Sequence, residues 1–402
     1  MAGIALAGRA RKEILAPRLA VLALVLLAPP LDAQVIGPPG ALAPAKVEAI
    51  EAAVSGTMSE IGIPGLSLAL ATDGEIRIAN GYGLADVENN VPAKALTVYR
   101  LASVSKPITA VAVLQLAEQG LMDLDAPIQK YCPAFPEKPW PVTGRQLLGH
   151  LGGVRHYADN EPVNTRRFAA VREGLDFFKD DPLAVEPGSR YLYSTYGYSL
   201  LGCAVESASG QAFADYLRDK VFRPAGMERT RPDDVRGLVP NRAQGYVKDA
   251  SGEILNSALA DVSYKVPGGG LVGTASDVAR FALALADGSL LKKETLAQML
   301  TRQKTRDGKV TGYGLGWTLG ERHRHREVWH TGGQERVSNV VYWQPDGSLV
   351  VVLLSNLEHV QPQLLDLARR LADLLQLEAG APALESRPKR GIIGLPPERP
   401  GA

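Results

Sequence analysis

Cysteine is almost absent: Cys132 and Cys203 are the only two in 402 residues, so a disulfide framework does not hold this chain together. One bridge between them and two buried free thiols are both compatible with so low a count. An excess of charge of one sign is missing too. Lys and Arg total 44 against 43 Asp and Glu, a formal net charge of +1, so neither nucleic acid nor an anionic membrane surface is an expected partner. There is no phosphate-binding glycine loop and no zinc-type spacing of Cys and His, so no cofactor and no metal are expected. Runs of about twenty apolar residues, the length that spans a bilayer, are lacking. The longest apolar stretch, "LAVLALVLLAPPLDAQ", follows Arg9, Arg11, Lys12 and Arg18 and runs out at the small residue Ala33. A charged start, a short apolar run and a small residue read as a secretory signal over 1–33, cleaved near Ala33, in a periplasmic or secreted protein without a membrane span in its mature part. An uncleaved anchor or a mitochondrial presequence would use the same Arg-rich, acid-poor start.

What is present is a large apolar fraction, 46%, enough for a sizeable core. "GLSLALATDGEIRIANGYG" (65–83) alternates about "DG" and predicts a hairpin. "SVSKPITAVAVLQLAEQGLMDLD" has apolar residues at helical spacing and stops near Gly120. From 126 to 264 short helical patterns mix with Pro and Gly turns. Another amphipathic helix follows "PGGGLVGT", with Thr274 or Ser276 as its cap. Beyond 310 the period returns to two in "GYGLGWTLG", "REVWHTGG" and "SNVVYWQPDGSLVVVLLSN", the last a hairpin through "PDG". "QPQLLDLARRLADLLQL" reads as a C-terminal helix, and 379–402 as a disordered tail. Strands at both ends with helices between predict an α/β fold of the α+β type. One antiparallel sheet is built from 46–125 and 265–378, flanked by helices, with a mainly helical lobe over 126–264 inserted.

The chemistry points to "LASVSKPITA" (101–110). Ser103 and Lys106 are three apart and share one face of a helix start, whereas Ser105 points elsewhere. A serine at a helix N-terminus has free backbone N–H groups and a positive dipole end beside it, which suit a developing oxyanion. A lysine serves as its base once burial lowers its pKa. Pro107 is tolerable only close to a helix start, which puts Ser103 in the first turn. Alone, the SxxK spacing is common, and a helix cap with a surface lysine is its bland reading. Two distant segments shift the balance: "PGSRYLYSTYGYSLLG" (187–202), with Tyr193 in a Y-S-T triplet, and "WHTGG" (329–333) on a strand.

This order of SxxK, Tyr-x-Asn-like and Lys-Thr-Gly-like motifs resembles the penicillin-recognising serine hydrolases: class C β-lactamases, D-Ala-D-Ala carboxypeptidases, and related esterases and peptidases. The resemblance spans 46–378 and is greatest to the mitochondrial serine β-lactamase-like group, through "GLADVENNVPAKALTVYRLASVSK", "LDAPIQKYCPAFPEK", "LLGHLGGVRHY" and "FFKDDPLAVEPGSRYLYSTYGYSLLG". It implies a β-lactamase/transpeptidase-like fold. Ser103 becomes the nucleophile, Lys106 its base partner and Tyr193 the proton shuttle. His330, Thr331 and Gly332 would line the strand beside the substrate, with the N–H groups of Ser103 and Gly333 as oxyanion hole. The implied partner is a small peptide- or ester-type substrate.

Two positions depart from the pattern. Thr195 replaces the Asn of the second motif and His330 the Lys of the third, so a fixed positive charge becomes an imidazole that is mostly neutral at pH 7. Penicillins and D-Ala-D-Ala termini present a carboxylate, for which that charge is suited. The expectation is therefore a hydrolase of peptide amides or esters, with an esterase of small esters and a non-catalytic peptidoglycan- or protein-binding descendant as alternatives. His150 and His156, in "GHLGGVRHY", are expected to be structural, and "RHRHRE" (322–327) a solvated hairpin tip.

Overall fold

The computed structural model describes residues 42–158 and 160–376; the expected signal (1–33) and tail (379–402) lie outside the described residues. Its largest element is a seven-stranded antiparallel sheet. The N-terminal part supplies β1 (Gly65–Thr72), β2 (Glu75–Asp86) and a short edge strand β3 (Val91–Pro92). The C-terminal part supplies β4 (Thr318–Arg322), β5 (His325–Gln334), β6 (Val337–Gln344) and β7 (Leu349–Ser355). The order across the sheet is β3-β2-β1-β7-β6-β5-β4. The "DG" turn between β1 and β2 places Asp73 and Gly74 at φ 53° and 79°, the left-handed pair of a tight hairpin whose twist matches its strands. The two halves of the chain meet where β1 pairs with β7, from Leu66 opposite Ser355 to Thr72 opposite Leu349.

Both faces of the sheet are covered, so β1, β6 and β7 are buried on each side. Alternation sorts their residues. Leu66, Leu68, Leu70, Val351 and Leu353 face an outer layer of α1 (Pro44–Ile61) and α5 (Gln361–Gln376), where they meet Ile50, Val54, Leu364, Leu367 and Leu371. Ala69, Ala71, Val350, Val352 and Leu354 face the inner layer with α2 (Ser105–Glu118) and α4 (Ala275–Ala286). Each fully buried Leu or Val adds about 1.5–3 kcal/mol to this packing. Alanines at 69 and 71 keep the inner face shallow opposite α4.

The helix preceding β1 has no counterpart in the sequence reading, because its buried positions Ile50, Val54 and Met58 form only a narrow stripe. "GYGLGWTLG" is a strand only from Thr318 onward. Gly316, at φ 93°, leaves no room for a side chain: a Cβ there would stand 2.7 Å from the Ala110 Cβ, so this backbone folds against α2 instead of pairing. Thr274, not Ser276, caps α4 by accepting the Asp277 N–H. Between the halves lies α3 (Thr195–Ser209), packed against α2. Cys132 and Cys203 are joined by a disulfide with Cα atoms 5.4 Å apart, so of the two arrangements the bridge is found; it fastens α3 to the segment after Ile128–Lys130. Among the described residues no helix is long and apolar enough to cross a membrane, and no group of His, Cys, Asp and Glu could hold a metal.

Candidate active site

The turn that carries Ser103 is built by a break in helical regularity. Ala102 has φ 48°, a left-handed conformation uncommon for a residue with a Cβ. It opens a short 3-10 turn, Ala102–Val104, that runs directly into α2. Pro107 is the third residue of α2, where its missing N–H belongs to the unpaired first turn. The two serines then part company. Ser105 is fully buried and its hydroxyl accepts the Leu271 N–H at 3.4 Å, which ties α2 to the small strand Leu271–Gly273. Ser103 faces Lys106 and Tyr193.

Lys106 is fully buried, and its Nζ has three oxygen neighbours: Ser103 Oγ at 2.9 Å, Thr195 Oγ1 at 3.0 Å and the Gly268 carbonyl at 2.7 Å. The Tyr193 hydroxyl donates to Ser103 Oγ at 2.8 Å, and the Tyr193 ring lies 4.7 Å from the ammonium nitrogen. Burial pushes the Lys106 pKa well below its usual 10.5, and the neighbouring charge of Lys265 pushes the same way. Thr195 thus keeps an oxygen on the lysine where the family's Asn would stand, without a side-chain amide. Gly268 approaches α3 so closely that a Cβ would lie 2.5 Å from Thr195 Cγ2.

The third motif lies on β5. Strand β4 pairs with β5 only as far as Thr318 opposite Trp329, so among the described residues the outer edge from His330 to Gln334 has no strand partner. A Cβ on Gly332 would stand 2.6 Å from the Leu101 carbonyl and 3.4 Å from Ser103 N. Glycine there is what brings this edge against the turn that carries Ser103. Gly333 is exposed, and Thr331 is half-buried beside it.

His330 stands apart from the serine chemistry. Its Nδ1 is 2.7 Å from the Thr331 carbonyl and its Nε2 2.9 Å from the Tyr313 hydroxyl. The carbonyl accepts only, so the ring proton belongs on Nδ1, and Nε2 accepts from Tyr313. Burial first, and the Lys106 charge second, lower its pKa to about 3. Both ring nitrogens are therefore engaged away from Ser103, although the ring lies 6.5 Å from that of Tyr193.

The two histidines of "GHLGGVRHY" are closer to the chemistry than their spacing suggested. His150 Nδ1 accepts the Ser194 N–H and His156 Nδ1 the Thr195 N–H, each at 3.2 Å. Together they pin the backbone immediately after Tyr193. The His150 ring packs 4.3 Å from the Tyr193 ring and that of His156 5.5 Å away. Burial dominates in both, holding His150 well below 6.5 and His156 at about 3. Tyr313 and Gly268 were invisible as site residues, since one sits in an irregular loop and the other contributes only a carbonyl. His323 is at the exposed β4–β5 turn, as expected of a hairpin tip.

The sequence pattern of the β-lactamase family matches residues 50–376. The chain belongs to the β-lactamase family. It is 31% identical over 383 residues to the human mitochondrial serine β-lactamase-like protein LACTB, covering 71% of this chain and 70% of that one. It is also 31% identical to penicillin-binding protein 4* of Bacillus subtilis, over 72% of this chain and 67% of that one. Among solved structures, the octameric penicillin-binding protein homologue of Pyrococcus abyssi superposes with a TM-score of 0.71 at 27% identity, covering 82% of this chain and 77% of that one. The D-amino acid amidase of Ochrobactrum anthropi SV3 gives 0.72 at 25%, covering 83% and 99%. This β-lactamase-family chain is an enzyme, a serine hydrolase with the antiparallel sheet and flanking helices of that fold.

Proposed function

We propose that the protein cleaves peptide amide or ester bonds through an acyl-enzyme on Ser103. The observation that carries this reading is the convergence of Lys106 Nζ and the Tyr193 hydroxyl on one oxygen, Ser103 Oγ, at 2.9 and 2.8 Å. A neutral amine at Lys106, favoured by its burial, spends its two N–H groups on Thr195 Oγ1 and the Gly268 carbonyl. Its lone pair is then left for the Ser103 proton. As Ser103 Oγ attacks the carbonyl carbon, that proton passes to Lys106. Tyr193, alone or with Lys106, delivers a proton to the departing nitrogen or oxygen. The N–H groups of Ser103 and Gly333 hold the oxyanion, and the substrate pairs along the open β5 edge. Water then attacks the acyl-enzyme and returns Ser103.

A neutral His330 supplies no charge for a penicillin-type carboxylate, so nitrocefin turnover is expected to be far below that of an efficient β-lactamase. The direct test is a fluorophosphonate probe, which should label the wild type and fail to label Ser103→Ala; equal labelling of the two would overturn the assignment. The same reading places the enzyme in the periplasm or outside the cell. The charged start before a short apolar run supports that placement, as does the Cys132–Cys203 bridge, a bond that persists in oxidising compartments. An N-terminus at Ala33 or Gln34 on the exported protein would bear it out, and a mature protein starting at Met1 would not.

A further inference from the structure

Lys265 sits just before the glycine triplet, at the start of the segment whose Gly268 carbonyl holds Lys106. It is 1% exposed. Among the described residues its ammonium has no hydrogen-bond acceptor and no carboxylate at ion-pair distance; it stands over the rings of Tyr157 and Tyr264, 4.7 and 5.3 Å from their centres. A buried ammonium normally has both kinds of partner. Two more unmet groups lie nearby on the turn that follows the third motif. The Glu335 carboxylate, whose charge acts on Lys265, Tyr157 and Tyr264, has a buried oxygen, Oε2, with no partner. Gln334 has a buried Nε2 with no partner, and its Oε1 approaches Gly269, as does the carbonyl of Ala102, the residue before Ser103. Tyr157 in turn neighbours Thr195, which touches Lys106. The unmet donors and the unmet acceptor thus gather beside the turn that carries Ser103.

We infer that Lys265, Gln334 and Glu335 form a subsite for the zwitterionic head of an amino acid, with the substrate's carboxylate on Lys265 and Gln334 and its amino group on Glu335. Donors of one charge and an acceptor of the other, each buried and unpaired, are completed together by a ligand carrying both charges. A lone carboxylate would leave Glu335 unmet, and a lone amine would leave Lys265 unmet. The inference deepens the hydrolase reading, on which it rests, by naming an amino-acid residue with free charged groups as the part of the substrate that is recognised. The cation missing from His330 is then supplied by Lys265.

Calorimetric titration of the Ser103→Ala protein tests this without turnover, so its failure is distinct from a failure of fluorophosphonate labelling in the wild type. The probes are D-alanine, L-alanine, alaninamide and propionate at pH 7. At least one alanine enantiomer should bind tenfold or more tightly than both single-charge analogues. Adding Lys265→Met should weaken that binding tenfold or more, Lys265→Arg should retain most of it, and Glu335→Gln should remove the preference over propionate. Thermal melting of each variant establishes that it is folded. Equal binding of alanine and propionate, no binding of any probe, or undiminished alanine binding by a folded Lys265→Met protein would each overturn the proposal. So would a Lys265→Met enzyme whose only change is one shift of the acid limb shared by neutral and zwitterionic substrates, because Lys265 would then act on Lys106 alone.

Discussion

Two buried lysines stand near Ser103, and they are kept differently. Lys106 has three oxygen partners within 3.0 Å, whereas Lys265 has two aromatic faces and no acceptor among the described residues. Burial lowers both, Lys106 well below 10.5 and Lys265 to about 8, the latter sustained by Glu335. A group that works on a bond needs a fixed position before substrate arrives. A group that receives a ligand keeps its hydrogen-bonding capacity unused until then. On the roles proposed above, the contrast separates machinery from recognition within one small region.

The largest effect should come from removing the satisfied lysine. Lys106→Met should lower kcat/KM by about 10³-fold or more on any ester that the enzyme accepts. It should also cost about 1–3 kcal/mol of stability, since a buried acceptor at Thr195 or Gly268 loses its donor. Steady-state kinetics and thermal melting read the two, and a drop in rate under tenfold would break the contrast.

A proton can challenge the same neighbourhood. His150, His156 and His330 are all held neutral by burial, with Lys106 adding to each, His156 and His330 to about 3. The unfolded chain takes up these protons near 6.5, and the folded protein does not until far lower. Stability is therefore complete above pH 6.5 and falls as pH drops from 6.5 toward 3, by up to about 1.4 kcal/mol per pH unit for each histidine. Urea midpoints measured at pH 7, 6, 5 and 4 should decline progressively; a flat profile would contradict neutral, buried imidazoles.

Tyr193→Phe removes the hydroxyl and keeps the ring against His150 and Lys106, so about 10²-fold should be lost in kcat with little change in melting temperature. The smallest effect has the opposite sign. Lys265→Met replaces an unpartnered buried charge with an apolar chain of similar length, and should leave stability unchanged or raise it by about 1 kcal/mol. A clear loss would mean that Lys265 is already satisfied.

The sequence carried the contact between Ser103 and Lys106 better than its surroundings. Ser103 and Lys106 were legible because three-residue spacing has one geometric meaning at a helix start, and the β1–β2 and β6–β7 hairpins because "DG" forces a turn. The partners of those residues were not. Gly268 acts through a carbonyl, which any residue possesses, and Tyr313 reaches His330 from a loop without periodicity. The pairing of Cys132 with Cys203 depends on how α3 packs, not on spacing. Lys265 carried no signal in the sequence, since burial without a partner is a property of the assembled fold. "GYGLGWTLG" misled because Gly316 is fitted against α2 and pleated pairing begins only at Thr318.

The seam between β1 and β7 has a consequence for how the enzyme comes into being. Leu66 waits for Ser355, and the β5 edge that faces Ser103 is more than two hundred residues downstream of it. Contacts so distant in sequence are slow to form, because the loop between them must be closed first. A growing chain therefore carries Ser103 long before it has the β5 edge that stands beside it. Competence arrives only when the last strands are made, and a chain cut short before Leu349 would be inert however intact its Ser-Lys pair.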